Sequence, residues 1–175
     1  MLLNRFYPWE TADSVFSIDY EKLYRLGYRG ILFDIDNTLV LHGADSNEEV
    51  DALFRRLHSM GLQTLLLSNN SEERILRFLA HIESPYIAEA DKPAPAAYLQ
   101  AVKTLGLSRE QTIVIGDQLF TDVYGANRAG LASIRVDFLR HPGERLFGKR
   151  RAAENLVLWF WRHSPAWKRL GGIVK

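Results

Sequence analysis

From Tyr28 onward the chain alternates short apolar runs with amphipathic stretches. Gly30-Ile31-Leu32-Phe33 carries no polar side chain, the pattern of a strand buried on both faces. Asn47–Ser59 repeats Val50, Leu53, Phe54 and Leu57 at helical spacing, and Gly61 ends that helix. Leu62–Leu67 is the next strand. Ser71–His81 predicts a helix with Ser71 as its N-cap and Ile75, Leu76 and Leu79 facing inward. Then come a short strand at Tyr86–Ala88, a helix over Pro93–Leu105 closed by Gly106, and a strand at Thr112–Ile115. A helix over Thr121–Ala129 and a strand over Leu131–Val136 complete the series. Strands separated by single helices imply a parallel sheet with helices on both faces and right-handed crossovers. The expected class is α/β, a doubly wound parallel sheet. Asp13–Leu26 predicts a preceding helix with Phe16, Leu23 and Leu26 on its apolar side. Ala152–His163 predicts a following one, after a break at Pro142-Gly143.

Composition narrows this picture without redirecting it. A length of 175 residues, 47% apolar and 25% charged, suits one soluble domain with a real core. Cysteine is absent, which excludes disulfides and thiolate chemistry and fits a reducing compartment. Met1–Trp9 has no continuous apolar stretch that would serve as a signal-peptide core. The apolar run Leu156–Trp161 falls far short of the roughly 18 residues of a membrane span. A cytoplasmic protein is expected. Charge is uneven: residues 1–140 hold 14 Lys/Arg against 19 Asp/Glu, and residues 141–175 hold 8 against 2. A division follows, with a domain over 1–140 and a basic, aromatic tail over 141–175 that suits an anionic partner.

In a doubly wound sheet, ligands bind beyond the carboxyl ends of the strands. Four polar patches stand there. Asp34-Ile35-Asp36-Asn37-Thr38 follows the first strand, and its two carboxylates invite a cation. Ser68-Asn69-Asn70 follows the second. Asp91-Lys92-Pro93 precedes a helix, and Gly116-Asp117-Gln118-Leu119-Phe120-Thr121-Asp122 follows a third strand. Each patch alone has an ordinary explanation as a turn, a cap or a surface lysine. Together, in order, on one edge, several acids and one lysine make a site for Mg²⁺ and a phosphoryl group.

These patches resemble the haloacid dehalogenase superfamily of phosphotransferases, whose pattern is hhhDxDx[TV], hhh[ST], Lys and hhhGDxxxD. Here the segments read ILFDIDNT, LLLSN, Lys92 and VIGDQLFTD, a likeness covering roughly Gly30 to Val136. The resemblance implies a Rossmann-like fold and roles residue by residue. Asp34 would be the nucleophile that carries the phosphoryl group, and Asp36 the general acid and then base. The Asp34 carboxylate, the Asp36 main-chain carbonyl and Asp117 would hold Mg²⁺, with Asp122 supporting directly or through water. Ser68 and neighbouring amides, including that of Asn69, would bind phosphoryl oxygens. Lys92 would bridge Asp34 and the phosphate, and Thr38 would brace the loop.

Many members insert a cap domain between these motifs. Only 33 residues separate Asp34 from Ser68 and 23 separate Ser68 from Lys92, too few for one. An open site favours a phosphate carried on something large. In the tail, Lys149, Arg150, Arg151, Trp159, Phe160 and Trp161 have the pattern of a helix at a lipid interface, the aromatics inserted and the cations among head groups. Packing on the domain itself or on a second subunit is the alternative. The capless layout, the Tyr-Pro-Trp segment and the flanks resemble the YqeG family, class IIIA of the superfamily, related to phosphatidylglycerophosphate phosphatases. The resemblance implies a phosphorylated lipid substrate and a peripheral position at the inner face of the membrane. A protein or nucleic-acid phosphate as substrate, or a non-catalytic phosphate-binding module, remain as alternatives.

Overall fold

A computed structural model describes residues 2–140 and 149–174, so the Pro142-Gly143 break lies outside the described residues, as do the side chains of Lys149, Arg150 and Arg151. Six strands form one fully parallel sheet: β1 (Glu10–Ala12), β2 (Gly30–Phe33), β3 (Gln63–Leu67), β4 (Tyr86–Ile87), β5 (Thr112–Gly116) and β6 (Ala132–Val136). Their spatial order is β1-β6-β5-β2-β3-β4. The chain leaves β2 toward β3 and β4, then crosses back to β5 and β6, so β2 is the topological switch point at which such sheets bind ligands. Leu32 sits in register with both Leu65 and Val114.

Apolar runs make these strands because both faces are covered. Ile31, Phe33, Ile113 and Ile115 point to one side, under α1 (Tyr20–Arg25), α2 (Glu48–Ser59) and α3 (Glu72–Phe78). Leu32, Leu65, Leu67 and Val114 point to the other, under α4 (Pro95–Thr104) and α5 (Tyr124–Ala129). The α2 stripe of Val50, Leu53, Phe54 and Leu57 is buried as its spacing requires, and the Asn47 side chain caps the helix by accepting from the Val50 N–H. Short links between the motifs leave no inserted cap domain.

Several expectations change. The segment before β2 is not one helix over Asp13–Leu26. Strand β1 pairs Glu10 with Ile134, a helical turn covers Val15–Ser17, and Asp19 caps the short α1 by accepting from the Lys22 N–H. Three-residue strands give too little alternation to read. Leu76 is 51% exposed rather than inward, because the buried face of α3 runs through Ile75 and Phe78, and the helix ends one turn earlier than expected, in a tighter turn at Leu79–His81.

The C-terminal segment is the largest change. In α6 (Lys149–Arg162), Val157, Leu158 and Trp161 pack on Tyr7, Leu119 and Val123. Trp161 is wholly buried and its indole N–H donates to the Ala166 carbonyl, so it does not insert into lipid. Beyond the helix, Leu170 and Ile173 enter the main core. The Asp19 N–H bonds the Ile173 carbonyl at 2.6 Å, the Arg169 N–H bonds the Trp9 carbonyl at 2.9 Å, and the buried Glu10 carboxylate takes the Gly172 N–H. The residues after 149 are thereby packed into the same core as those before 140. Among the described residues no helix is long and apolar enough to cross a membrane.

Candidate active site

The three central strands end in polar residues at one edge. At the end of β2, Asp34 donates its N–H to the Ile115 carbonyl, which holds the loop against β5. The chain then reverses: the Ile35 carbonyl accepts from the Leu39 N–H at 2.9 Å, and Asn37 takes a left-handed φ of 62°, a conformation asparagine tolerates better than most residues. The Thr38 hydroxyl lies 3.3 Å from both Asp34 Oδ2 and Asp117 Oδ1.

Lys92 is buried between two carboxylates, its Nζ 2.6 Å from Asp34 Oδ1 and 2.7 Å from Asp122 Oδ1. Burial opposes its charge, but Asp122 and Asp34 outweigh burial and raise its pKa, so it is an ammonium. Asp34 moves the other way. Burial pushes its carboxyl up to about 6 against the pull of Lys92, with the Asp122 and Asp36 charges adding to the rise.

Asp34, Asp117 and Asp122 are all buried, and one carboxylate oxygen from each lies within 4.8 Å of the others. Three buried acids against one lysine leave negative charge without compensation, and an oxygen-only donor set suits a hard divalent cation. The residues present fit such an ion. The Asp36 side chain is not part of this cluster. Its carboxylate turns to the Gly43 N–H at 3.0 Å, Asn70 Nδ2 at 2.6 Å and Arg74 Nη2 at 2.9 Å. Burial favours its neutral form, but these donors together hold it below the usual carboxylate range.

The sequence brings Asp122 into place in an unforeseen way. Four residues separate Asp117 from Asp122, one more than the superfamily pattern has. A π-helical turn over Leu119–Val123 takes up the additional residue, with the Val123 N–H reaching back to the Gln118 carbonyl. Gly116 makes room, since a Cβ there would overlap the Asp122 carboxyl group.

Ser68 and Asn69 both line the cleft, in different capacities. Ser68 Oγ accepts from the Asn70 N–H at 3.2 Å and from Asn70 Nδ2 at 3.0 Å. With both acceptor positions filled, its own O–H remains to donate. The Asn69 side chain is spent on the Lys92 main chain, accepting from its N–H at 2.8 Å and donating to its carbonyl at 3.2 Å. It fixes the Lys92 main chain from the wall of the cleft. The cavity over these groups holds about 160 Å³ and is also lined by His42 and Gln118. That is below the roughly 300 Å³ at which small-molecule sites begin, so it suits a phosphoryl group rather than a whole organic ligand.

Patterning gave no role to Arg74 or His42. Arg74 had a readable signal: an arginine in the first turn of α3 is disfavoured by the helix dipole unless an anion is near. His42 sits in an irregular loop, where spacing carries no information.

Comparison with known proteins gives the family. The model of the haloacid dehalogenase-like hydrolase family matches residues 41–130, beginning just after the Asp34–Thr38 motif. The protein named "Probable phosphatase YqeG" of Bacillus subtilis (strain 168) is 37% identical over 137 residues, covering 78% of this chain and 80% of that one. The chloroplastic phosphatidylglycerophosphate phosphatase 1 of Chlamydomonas reinhardtii is 28% identical over 175 residues, covering 91% of this chain but only 65% of its own length. Among solved structures, the cobalt-bound deoxy-D-mannose-octulosonate 8-phosphate phosphatase of Haemophilus influenzae superposes with a TM-score of 0.51 at 18% identity, covering 79% of this chain and 90% of that one, a likeness of fold. The chain belongs to the haloacid dehalogenase-like hydrolases and is a phosphatase related to YqeG.

Proposed function

We propose that this phosphatase is a Mg²⁺-dependent phosphomonoester hydrolase working through an aspartyl-phosphate on Asp34, with phosphatidylglycerophosphate as its substrate. The observation that carries the chemistry is the buried Asp34–Lys92–Asp122 ion pair set at the floor of a small cleft. Lys92 neutralises Asp34 and lies where it can neutralise an arriving phosphoryl group. An Asp34 oxygen bonds to phosphorus as the ester P–O bond breaks, and Asp36 gives its proton to the departing oxygen. The negative phosphoryl group beside Asp36 favours that protonated form. Water then bonds to phosphorus, its proton passes to Asp36, and the Asp34–phosphorus linkage breaks to release inorganic phosphate. Asp34, Asp117 and Asp122, with the Asp36 main-chain carbonyl, would hold Mg²⁺, whose charge offsets that of the phosphoryl oxygens. The Ser68 hydroxyl and the Asn69 main-chain N–H would bind those oxygens.

Two things support the lipid substrate. No cap domain covers the cleft, so a head group on a surface has access. The Chlamydomonas relative, likened across 91% of this chain, is named for that substrate. Contact with an anionic bilayer is part of the same proposal, without Trp161, which is buried. Trp159, Leu156 and Trp167 stay exposed, with Arg162 and Lys168 on the same segment. The test is phosphate release in Mg²⁺ from phosphatidylglycerophosphate in anionic vesicles, soluble phosphoesters and phosphopeptides. Preference for the lipid by an order of magnitude or more in kcat/KM is expected. Equal or better turnover of phosphopeptides would overturn the substrate assignment and leave the hydrolase chemistry standing.

A further inference from the structure

Arg74 stands three residues after the Ser71 cap of α3, where the helix dipole opposes a positive charge. Its side chain is nonetheless turned inward, with 11% exposure. Nη2 donates to Asp36 Oδ1 at 2.9 Å and to the Ala44 carbonyl at 2.6 Å. Nε and Nη1 are buried and have no hydrogen-bond partner among the described residues. A guanidinium kept at such a position against its own hydrogen-bonding needs calls for an explanation in function.

The contacts make the two oxygens of Asp36 unlike. Oδ1 takes the Gly43 N–H at 3.0 Å and Arg74 Nη2. Oδ2 takes Asn70 Nδ2 at 2.6 Å and lies 3.5 Å from His42 Nδ1, and both Asn70 and His42 line the cleft. One turn further along α3, Arg77 grips the same loop through the Gly43 carbonyl at 2.9 Å and Asp45 Oδ1 at 2.6 Å. Arg77 serves as an internal comparison, since it anchors the loop through groups other than the Asp36 carboxylate.

We propose that Arg74 is a positioning residue for proton transfer. With the Gly43 N–H it fixes Oδ1, so Oδ2 faces the cleft and is the oxygen that exchanges protons. The Oδ2–H bond breaks as the departing ester oxygen takes the proton. In the second half-reaction a water O–H gives its proton to Oδ2 as the water oxygen bonds to phosphorus and the Asp34–phosphorus bond breaks. The inference rests on the proposed role of Asp36 as acid and base.

Full-length wild type, Arg74→Ala, Arg77→Ala and Asp36→Asn are compared in Mg²⁺ by rapid quench, on glycerol 3-phosphate and p-nitrophenyl phosphate. General acid–base catalysis is worth about 10²–10⁴-fold, so a misaligned Asp36 should cost about 100-fold in kcat on the alkyl ester. Nitrophenolate leaves without a proton, so Arg74→Ala should release one nitrophenol per active site at near wild-type rate. Steady turnover then slows as phosphoenzyme hydrolysis limits it. Added guanidinium should quicken that slow phase, and Arg77→Ala should show no burst and an unchanged alkyl-to-aryl ratio. Equal slowing of both esters by Arg74→Ala without a burst, or the same burst from Arg77→Ala, overturns the proposal. Should Arg74→Ala lose its fold by circular dichroism, Arg74→Lys is read by the same burst, since a lysine Nζ ends one bond short of the Nη2 position that reaches both Asp36 and Ala44. Asp36→Asn separates two failures. If it too lacks the burst, the acid–base role falls and this proposal with it. If it bursts and the Arg74 variant does not, only the positioning claim falls.

Discussion

Asp34 and Lys92 are opposite charges whose burial has different consequences. Because burial raises the folded Asp34 carboxyl to about 6, above the ordinary aspartate value of 3.8, the metal-free fold binds a proton there that the unfolded chain has lost. Stability of the metal-free protein therefore falls as pH rises from about 4 through about 6. A cation must displace that proton, so Mg²⁺ should bind more tightly as pH rises through the same window. Calorimetric titrations at pH 5.5 and 7.5 check this, and equal affinities would contradict it. Asp34→Asn should abolish turnover, yet melt at or above the wild-type temperature in chelator at pH 7.5, where the wild type carries an unfavourable charge. For Lys92 the sign reverses. Lys92→Met leaves Asp34 and Asp122 facing each other, and removing one partner of a buried ion pair costs about 3–5 kcal/mol. Thermal melts with and without Mg²⁺ should show that loss in chelator and its partial recovery with the ion.

At the scale of elements, strand ends hold the chemistry and single glycines set its tolerance. β5 ends in Gly116 so that Asp122, carried by the π-helical turn, can fold back against that glycine. Gly116→Ala should displace Asp122, destabilise by about 1–3 kcal/mol as overpacking does, and raise the Mg²⁺ concentration needed for half-maximal activity several-fold. Denaturant melts and metal titrations read both, and an unchanged metal requirement would remove Asp122 from the ion's surroundings. β2, β3 and β5 were legible because each carries at least three consecutive apolar residues, and α2 and α4 because ten or more residues let the helical period show. α1, α3 and the π-helical turn departed from expectation where helices are shorter than two turns, too short for a 3.6-residue period to declare itself.

Over the whole molecule, the C-terminal segment decides what can be removed. Trp161, Val157, Leu158, Leu170 and Ile173 are buried against residues from the first half of the chain or the Leu119–Val123 turn. Each contributes about 1.5–3 kcal/mol, and together they rival the 5–15 kcal/mol stability of an ordinary domain. Deleting 141–175 should therefore unfold the protein by circular dichroism and proteolysis rather than detach a membrane tether. Point variants address the membrane instead. Trp159→Ala with Trp167→Ala should weaken co-sedimentation with anionic vesicles several-fold at low salt while sparing turnover of p-nitrophenyl phosphate. Partition identical to wild type would leave the open cleft alone to explain lipid access.

The parallel sheet, the order of its motifs and the cluster of Asp34, Lys92, Asp117 and Asp122 were determined by the sequence itself. Polar residues that directly follow apolar strands converge at one edge of such a sheet, and only Asp122 needs the π-helical turn to join them. Tertiary structure alone decided the rest: that the Asp36 carboxylate lies on Arg74, that Asn69 serves the Lys92 main chain, that β1 exists, and that the aromatic tail is core. Those contacts join residues 38, 23, 124 and more than 100 positions apart. Local periodicity carries no information across such distances, and the geometry there is set by the mutual fit of elements already folded.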